Sequence, residues 1–146
     1  MSSGKAVKRH QARVVAMQAL FQWHSNPVAL SDLLEQYLVE RDLNNHSKFD
    51  GEFFRELLAG CLEHMQHIDD VLRPLCDRPL EKLTAVELSV LRLAAYEMEF
   101  VLQTPYKVVI NEAIILCKDY GAKGVHGFIN AVLDKLAKAL RPGEIV

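Results

Sequence analysis

The sequence predicts an all-α fold of about six or seven helices, in one domain that spans residues 1–146. Apolar residues recur with helical spacing in every long segment, and no segment shows the period-2 alternation of a half-buried strand. Short linkers marked by turn residues separate the helical segments. A chain of 146 residues that is 50% hydrophobic can fold without disulfides or metal, because it buries about two-thirds of its unfolded surface.

Two helices are predicted near the start of the chain. Residues 8–24 form the first, and Asn26-Pro27 ends it. Ser31 is predicted to cap the second helix with its hydroxyl group. The apolar face of the first helix consists of Ala12, Val15, Ala16, Ala19, Leu20 and Trp23.

A third, longer helix is predicted to begin at Asp50, after a loop at residues 44–47. Its apolar stripe continues past a break near residues 66–70. Pro74 and Pro79 then bound a short irregular stretch, which has room for one helical turn at most.

The second half of the chain carries clear helix start and stop signals. Thr84 and Glu87 have the spacing of a capping box, in which each side chain accepts a hydrogen bond from the other residue's backbone. The helix that follows is apolar around most of its circumference, so we expect it to be central and buried. Thr104-Pro105 marks the start of the next helix and Gly121 its end.

A glycine-rich turn at residues 121–127 precedes the last helix, which ends at residues 141–143. Such a turn can offer backbone N–H groups to a phosphate, with Lys123 and His126 as side-chain contacts and Phe128 as an aromatic face for a base. A plain interhelical turn with Phe128 in the core is the alternative. Glycine spacing alone favours that alternative, because short glycine-rich turns are common.

The charged residues are distributed in blocks. Residues 1–30 carry four bases and no acid, residues 31–99 carry seven bases against fifteen acids, and residues 100–146 carry six bases against four acids. A formal net charge of −2 argues against a chain coated in nucleic acid, but the pattern permits a local basic patch and an acidic surface for a different partner. Unevenly charged helix faces in solvent explain the charge alone equally well.

The basic start of the chain is the first candidate contact surface. Residues 1–7 are predicted to be a flexible basic tail, and Lys8, Arg9 and Arg13 follow it on the first helix. Arg9 and Arg13 share a helix face, where guanidinium groups can bind phosphates or stack on bases. Cations are electrostatically unfavourable near a helix N-terminus, so their placement favours a functional use.

Three other residues are weaker candidates for contact with a partner. Glu81 and Glu87 belong to the acidic middle of the chain; Glu87 has a structural role in the capping box, but capping carboxylates are usually exposed. Phe21 lies off the main apolar face of the first helix. From the residues alone it is assigned to a secondary core, although an exposed aromatic there would suit a protein interface.

The composition also constrains the compartment. No apolar run is long enough to span a membrane, and the start of the chain shows no secretory signal. The three cysteines, Cys61, Cys76 and Cys117, lie near apolar residues and are expected to be reduced core residues. We therefore expect a cytoplasmic protein.

The sequence offers little support for catalysis. It contains no nucleophile elbow, Walker lysine or metalloprotease motif, so we expect neither an enzyme nor a cofactor. Cys61, His64 and His67 recur every three residues, but a structural zinc site usually needs four ligands. Because no second ligand pair stands at a fitting spacing, no metal site is expected.

Five segments in their order along the chain are similar to one known family. Each is a weak signal, but the ordered set is highly specific. The segments are residues 9–22 (RHQARVVAMQALFQ), 53–60 (FFRELLAG), 86–97 (VELSVLRLAAYE), 105–113 (PYKVVINEA) and 128–135 (FINAVLDK). From about residue 8 to residue 142, the chain resembles the bacterial transcription antitermination factors of the NusB family.

This resemblance implies an all-α fold in which about seven helices form two small three-helix bundles packed into one domain. Members of the family bind the boxA element of nascent RNA, notably in ribosomal RNA operons, as a heterodimer with NusE, a protein of the small ribosomal subunit. The complex helps RNA polymerase to read through terminators, and no reaction is catalysed. Neither a cofactor nor a membrane is involved. Some members self-associate, so a homodimer stays open.

The resemblance also implies two RNA-facing elements and one NusE-facing surface. The RNA-facing residues are Lys8, Arg9, His10 and Arg13 at the basic start, and Lys123, His126 and Phe128 at the glycine-rich turn. The NusE-facing residues are Phe21, where the family often has tyrosine, Glu81 and Glu87. A basic end for RNA and an acidic middle for a basic ribosomal protein agree with the charge blocks.

Three positions in the RNA-facing elements depart from the family pattern. The basic start is usually richer in arginine, where this chain has His10 and Gln11. A lysine usually precedes the aromatic residue of the turn, where this chain has Gly127. Loss of that lysine is expected to weaken the RNA contact, and Lys123 is available to compensate.

Two alternatives stay open from the sequence. The same helical domain occurs in front of a ribosomal RNA cytosine methyltransferase, although this chain has no glycine-rich cofactor loop. A helical adaptor that binds no RNA is the other alternative, and removal of residues 5–13 would then leave its interactions intact.

Overall fold

The computed structural model is all-α, as the sequence predicts, and describes residues 2–40 and 49–145. No strand occurs within these ranges, and the predicted loop at residues 44–47 lies outside them. Seven α-helices lie among the described residues: α1 (Ser2–Ser25), α2 (Leu30–Leu34), α3 (Gly51–Glu63), α4 (Met65–Leu72), α5 (Ala85–Phe100), α6 (Tyr106–Tyr120) and α7 (His126–Leu140).

Shorter helical pieces complete the element order. A π-helix, Glu35–Glu40, continues α2, and 3₁₀ turns at Arg73–Leu75 and Leu80–Lys82 lie between α4 and α5. The chain divides into two compact units, Met1–Glu63 and His64–Val146. In the described part of the chain, no helix is long and apolar enough to cross a membrane.

The first unit is built on the packing of α1 against α3. Asp50 caps α3, because its Oδ1 atom accepts a hydrogen bond of 3.0 Å from the backbone N–H of Phe53. The backbone N–H of Asp50 donates to the carbonyl oxygen of Lys8 over 3.1 Å, which ties the start of α3 to α1. Buried side chains from α1 and α3 form the core: Ala12, Val14, Val15, Ala16, Met17, Ala19, Leu20, Phe53, Phe54, Leu57, Leu58 and Cys61.

The structure changes the predicted boundaries of the first unit in three places. Helix α1 begins at Ser2, so residues 2–7 of the predicted tail are helical. Helix α2 starts after Ala29 without a side-chain cap, so the prediction of a Ser31 cap is wrong. The break in the long helix falls at His64 rather than at residues 66–70.

A polar contact fixes the π-helix to α1. The side-chain amides of Gln22 and Gln36 exchange hydrogen bonds of 3.0 and 3.2 Å. The hydroxyl of Tyr37 donates to Oε1 of Gln22 over 2.8 Å. These bonds satisfy polar groups that are partly withdrawn from water, so they select one arrangement of α1 and the π-helix.

Helix α5 is the centre of the second unit, as predicted. It packs against α4, α6 and α7, and most of its side chains are buried. The predicted capping box is confirmed: the backbone N–H of Glu87 donates to Oγ1 of Thr84 over 3.1 Å, and the backbone N–H of Thr84 donates to Oε1 of Glu87 over 2.7 Å. Arg92 on α5 binds Asp69 on α4 through two hydrogen bonds of 2.9 Å, in a largely buried ion pair.

Arg141 closes the other end of α5. Its buried guanidinium donates to the carbonyl oxygens of Met98, Val101 and Thr104, which lie in the last turn of α5 and just beyond its end. Helix α6 begins at Tyr106, one residue later than the predicted Thr104 cap would place it, and its N-cap residue Pro105 makes no side-chain cap. The prediction of a Thr104 cap is therefore wrong. Thr104 is buried, and its carbonyl oxygen accepts a hydrogen bond from the guanidinium of Arg141.

Candidate nucleic-acid interface

The basic start of α1 packs its first arginine on an aromatic ring. The Cζ atom of Arg9 lies 3.6 Å from the ring centroid of Phe53, and that of Arg13 lies 5.0 Å from it. Phe53 is buried in the core of the first unit, so the ring is a fixed support for the guanidinium of Arg9. Lys5 and Lys8 are exposed beside it. We call Lys5, Lys8 and Arg9 the α1 surface.

Arg9 and Arg13 both lie against Phe53, but they differ in burial. Arg9 is half-buried, whereas the side chain of Arg13 is only 4% exposed. The guanidinium of Arg13 is buried against Phe53, so a contact with RNA would require it to leave this site. His10 is half-buried. The predicted RNA roles of these residues stay predictions.

Two glycines shape the glycine-rich turn, and each position requires glycine for a different reason. Gly121 ends α6 by donating its N–H to the carbonyl oxygen of Cys117 over 2.8 Å. A Cβ atom at Gly121 would lie 2.7 Å from that oxygen, so no other residue fits without a shift. Gly124 has a φ of +85°, a left-handed conformation that glycine adopts at little cost. Lys123 is exposed on the turn that results, and His126 is exposed as the first residue of α7.

Phe128 lies in the first turn of α7 and is half-buried. It is therefore neither a core residue nor a free side chain, and part of its ring is open to a ligand. The guanidinium carbon of Arg78 lies 4.3 Å from its ring centroid. Sequence reasoning missed Arg78, because fifty positions separate the two residues and no local pattern joins them.

Two of the three predicted NusE-facing residues are exposed. Phe21 is 43% exposed, so its assignment to a secondary core is wrong. Glu81 is also exposed, and both of its oxygens accept hydrogen bonds from Arg73, at 2.6 and 3.1 Å. The Arg73 guanidinium holds the pKa of the Glu81 carboxyl below its usual value, and Glu81 in turn raises the pKa of Arg73.

Glu87, the third predicted NusE-facing residue, points inward. It is 6% exposed, and its carboxylate is bound to the backbone of Thr84. The expectation that this capping carboxylate is exposed is therefore wrong. The sequence showed the capping box, but it could not show that neighbouring elements cover it.

The cysteine and histidine side chains have structural surroundings. Cys61 and Cys117 are buried and Cys76 is half-buried, and burial raises the thiol pKa of Cys76 and Cys117. His64 stacks on Phe100 with 4.5 Å between ring centroids, and Nε2 of His67 lies 2.7 Å from Oε2 of Glu99. Residues 2–40 and 49–145 contain no group of three or more side chains that could hold a metal ion.

Known proteins share both the sequence and the fold. The NusB family model matches residues 10–138. The transcription antitermination protein NusB of Pseudomonas entomophila is 47% identical over 141 residues, which cover 97% of this chain and 83% of that protein. The protein of the same name from Idiomarina loihiensis is 44% identical over 138 residues, covering 94% of this chain and 97% of the relative.

Two solved structures give the same result for the fold. T. maritima NusB has a TM-score of 0.81 at 33% identity and covers 93% of this chain and 94% of its own. A structure described as antitermination factors NusB and NusE in complex with dsRNA has a TM-score of 0.78 at 24% identity, covering 89% of this chain and 96% of the other. With the family model matching most of the chain and relatives 47% and 44% identical, this chain belongs to the NusB family.

Proposed function

We propose that this chain is a transcription antitermination factor. It binds the boxA element of nascent ribosomal RNA operon transcripts together with NusE, and it helps RNA polymerase to read through terminators. Its relatives carry the name transcription antitermination protein NusB. NusB and NusE occur together with RNA in a structure of the same fold. The factor acts in the cytoplasm, where transcripts are made, and it catalyses no reaction.

The observation that carries the RNA-binding role is the acid-free, exposed start of α1. No acidic residue occurs in Ser2–Ser25, in a chain whose formal net charge is −2. Lys5 and Lys8 are exposed there, and Arg9 is held above Phe53. Three cations with no acid on their own helix provide a favourable potential for RNA phosphates.

The glycine-rich turn supplies the second RNA-facing surface. Lys123 and His126 are exposed and can contact phosphates, and the half-buried ring of Phe128 can stack on an unpaired base. Stacking on an aromatic side chain tolerates any base, so sequence preference needs further contacts to base edges. We assign cation contacts to both surfaces and base stacking to Phe128.

The proposed NusE contact uses Phe21 and Glu81. Phe21 is an exposed aromatic side chain of the kind that contributes most to protein interfaces. Glu81 presents a carboxylate to a basic ribosomal protein, although Arg73 already binds it. Glu87 is a positioning residue in this proposal. Its capping box fixes the start of α5, directly after the 3₁₀ turn that carries Glu81.

Fluorescence anisotropy of a labelled boxA RNA tests this proposal. The titration is done near physiological salt, with and without NusE, and a scrambled RNA of the same length is the control. Sedimentation at the same concentrations establishes whether the chain is monomeric. We expect tighter binding of boxA RNA than of the scrambled RNA, and further tightening when NusE is added.

Two outcomes would contradict the proposal. Equal affinity for the two RNAs, even with NusE, would rule out boxA recognition. An absence of RNA binding together with retained NusE binding would favour the adaptor function that the sequence left open.

A further inference from the structure

We propose that Arg78 is a further RNA-contacting residue, which supplies a phosphate contact beside Phe128 at the start of α7. This inference rests on the proposed function, because it adds a residue to one of its two RNA-facing surfaces. It concerns the position where the turn departs from the family pattern. Gly127, directly before Phe128, carries no charge, whereas Arg78 brings a cation to the ring of Phe128 from a different part of the chain.

The position of Arg78 is set by two contacts. Its Cζ atom lies 4.3 Å from the ring centroid of Phe128, and its Nε donates to Oδ1 of Asp77 over 3.1 Å. The Nη1 and Nη2 groups have no protein acceptor within the described ranges. They are the groups that can bind two oxygens of one phosphate.

The exposure of Arg78 suits a ligand contact. Its side chain is 46% exposed, so a phosphate can reach the guanidinium without any change in the core. Asp77 is 73% exposed, and an ion pair between such exposed neighbours is weak and screened by salt. Asp77 therefore orients Arg78 without cancelling its attraction for a phosphate.

A second cation lies close to the same segment. Helix α7, which carries Lys135, packs against the 3₁₀ turn Arg73–Leu75, a few residues before Arg78. Arg78, Lys135 and the ring of Phe128 thus combine positive charge with an aromatic face. This is the combination that proteins use to bind single-stranded nucleic acid.

The test compares Arg78→Ala with the unchanged chain in the anisotropy assay, over a range of salt concentrations and without NusE. Loss of one phosphate contact to a single-stranded RNA lowers the slope of log affinity against log salt by about 0.7. At about 0.1 M salt, that change in slope corresponds to roughly fivefold weaker binding. A variant whose slope and affinity equal those of the unchanged chain would overturn the proposal.

Arg73→Ala is the matched control. Arg73 is 49% exposed and paired with an acidic residue, Glu81, much as Arg78 is paired with Asp77. It differs because no aromatic ring contact is found for it among the described residues. We expect Arg73→Ala to keep the RNA affinity within twofold. An equal loss in the two variants would mean that only net charge matters, and it would overturn the specific role of Arg78.

Two further variants separate charge from packing. Arg78→Lys keeps the charge but loses the planar group, so the salt slope should be kept while the affinity falls less than for Arg78→Ala. Arg78→Met keeps apolar contact with the ring but carries no charge, so it should bind RNA as weakly as Arg78→Ala. Full affinity in Arg78→Met would show that Arg78 only supports Phe128.

The two RNAs separate failure of this inference from failure of the proposed function. A phosphate contact does not depend on sequence, so Arg78→Ala should weaken binding to boxA and scrambled RNA alike. If the unchanged chain does not prefer boxA, the boxA proposal fails, while an equal loss on both RNAs still supports Arg78. If the unchanged chain prefers boxA and Arg78→Ala has no effect, only the inference about Arg78 fails.

Discussion

Two regions of the molecule hold an arginine above a phenylalanine ring, and they differ in whether the ring is buried. In the first unit, Phe53 is 3% exposed and Arg9 lies 3.6 Å above it. In the second unit, Phe128 is half-buried and Arg78 lies 4.3 Å above it. The first ring belongs to the core, while the second is partly open to solvent.

The difference shows that the same arginine–phenylalanine contact can serve either stability or ligand binding. Where the ring is buried, it can offer nothing to a ligand and only restricts the arginine. Where the ring is partly open, ring and arginine can both be offered, one to a base and the other to a phosphate. We therefore expect Phe53 to matter for stability and Phe128 for RNA affinity.

Truncation of the two phenylalanine rings should give the largest difference between a role in stability and a role in RNA binding. Phe53→Ala leaves a cavity in the core and should lower the free energy of unfolding by about 3–5 kcal/mol. Phe128→Ala removes a half-buried ring, so it should cost less than about 2 kcal/mol of stability and still weaken RNA binding by about 1–3 kcal/mol. Urea unfolding of both variants and RNA titration of the folded one measure these effects. Equal losses of stability would contradict the comparison.

The two arginines of α1 should differ in the same way. Arg13→Ala removes a buried side chain that lies against Phe53, and we expect a loss of stability of about 1–3 kcal/mol. Arg9→Ala should cost less than about 1 kcal/mol and reduce the salt slope of RNA binding by about 0.7. Chemical denaturation and salt titration distinguish them. A larger slope change for Arg13→Ala would show that Arg13 contacts RNA directly.

Gly127→Lys tests whether one more cation strengthens RNA binding at the second surface. No atom lies within 4 Å of a Cβ at this position, so the side chain fits. One added phosphate contact should tighten RNA binding by roughly fivefold at about 0.1 M salt. Gly127→Ala is the control, since it should add up to about 1 kcal/mol of helix stability without tighter RNA binding. The same gain in both variants would point to helix order rather than charge as the cause.

The smallest expected effect concerns the ion pair of Arg73 and Glu81. Unlike Arg9 and Arg78, Arg73 has no aromatic ring contact among the described residues. Because Arg73 lowers the pKa of Glu81 in the folded state, the pair adds stability above the ordinary glutamate pKa. That contribution is lost as the pH falls through the lowered pKa. Thermal unfolding from pH 7 to pH 3 should show a slightly steeper decline for the unchanged chain than for Arg73→Ala. Parallel curves would mean that this exposed pair contributes nothing.

Local patterns predicted the fold well. The all-α class, the buried α5 and the capping box of Thr84 and Glu87 depend on residues close in sequence, and all three are confirmed. Helix ends were harder to predict where a residue distant in sequence binds the backbone groups of the helix end. Arg141 takes the carbonyl oxygen of Thr104, and Glu144 accepts from the backbone N–H of Tyr106, so the predicted Thr104 cap is not used.

The candidate site was predicted as residue types but not as geometry. The spacing of Arg9 and Arg13 showed a shared face, but it could not show that Phe53 of another helix would help to cover Arg13. Phe128 was visible in the turn, whereas its contact with Arg78 depends on tertiary packing. The sequence could not show which charged residues are buried, because burial depends on which other elements pack on them.

The most direct test of the account is the location of RNA on this chain in solution. Backbone amide shifts in NMR spectra, recorded during titration with boxA RNA and with a scrambled control, report contact residue by residue. We predict changes at residues 5–9 and 123–128 and at Arg78, with small changes at Gln36 and Phe21. Changes centred on Phe21 and Glu81, with residues 5–9 and 123–128 unaffected, would contradict the assignment of the two RNA-facing surfaces.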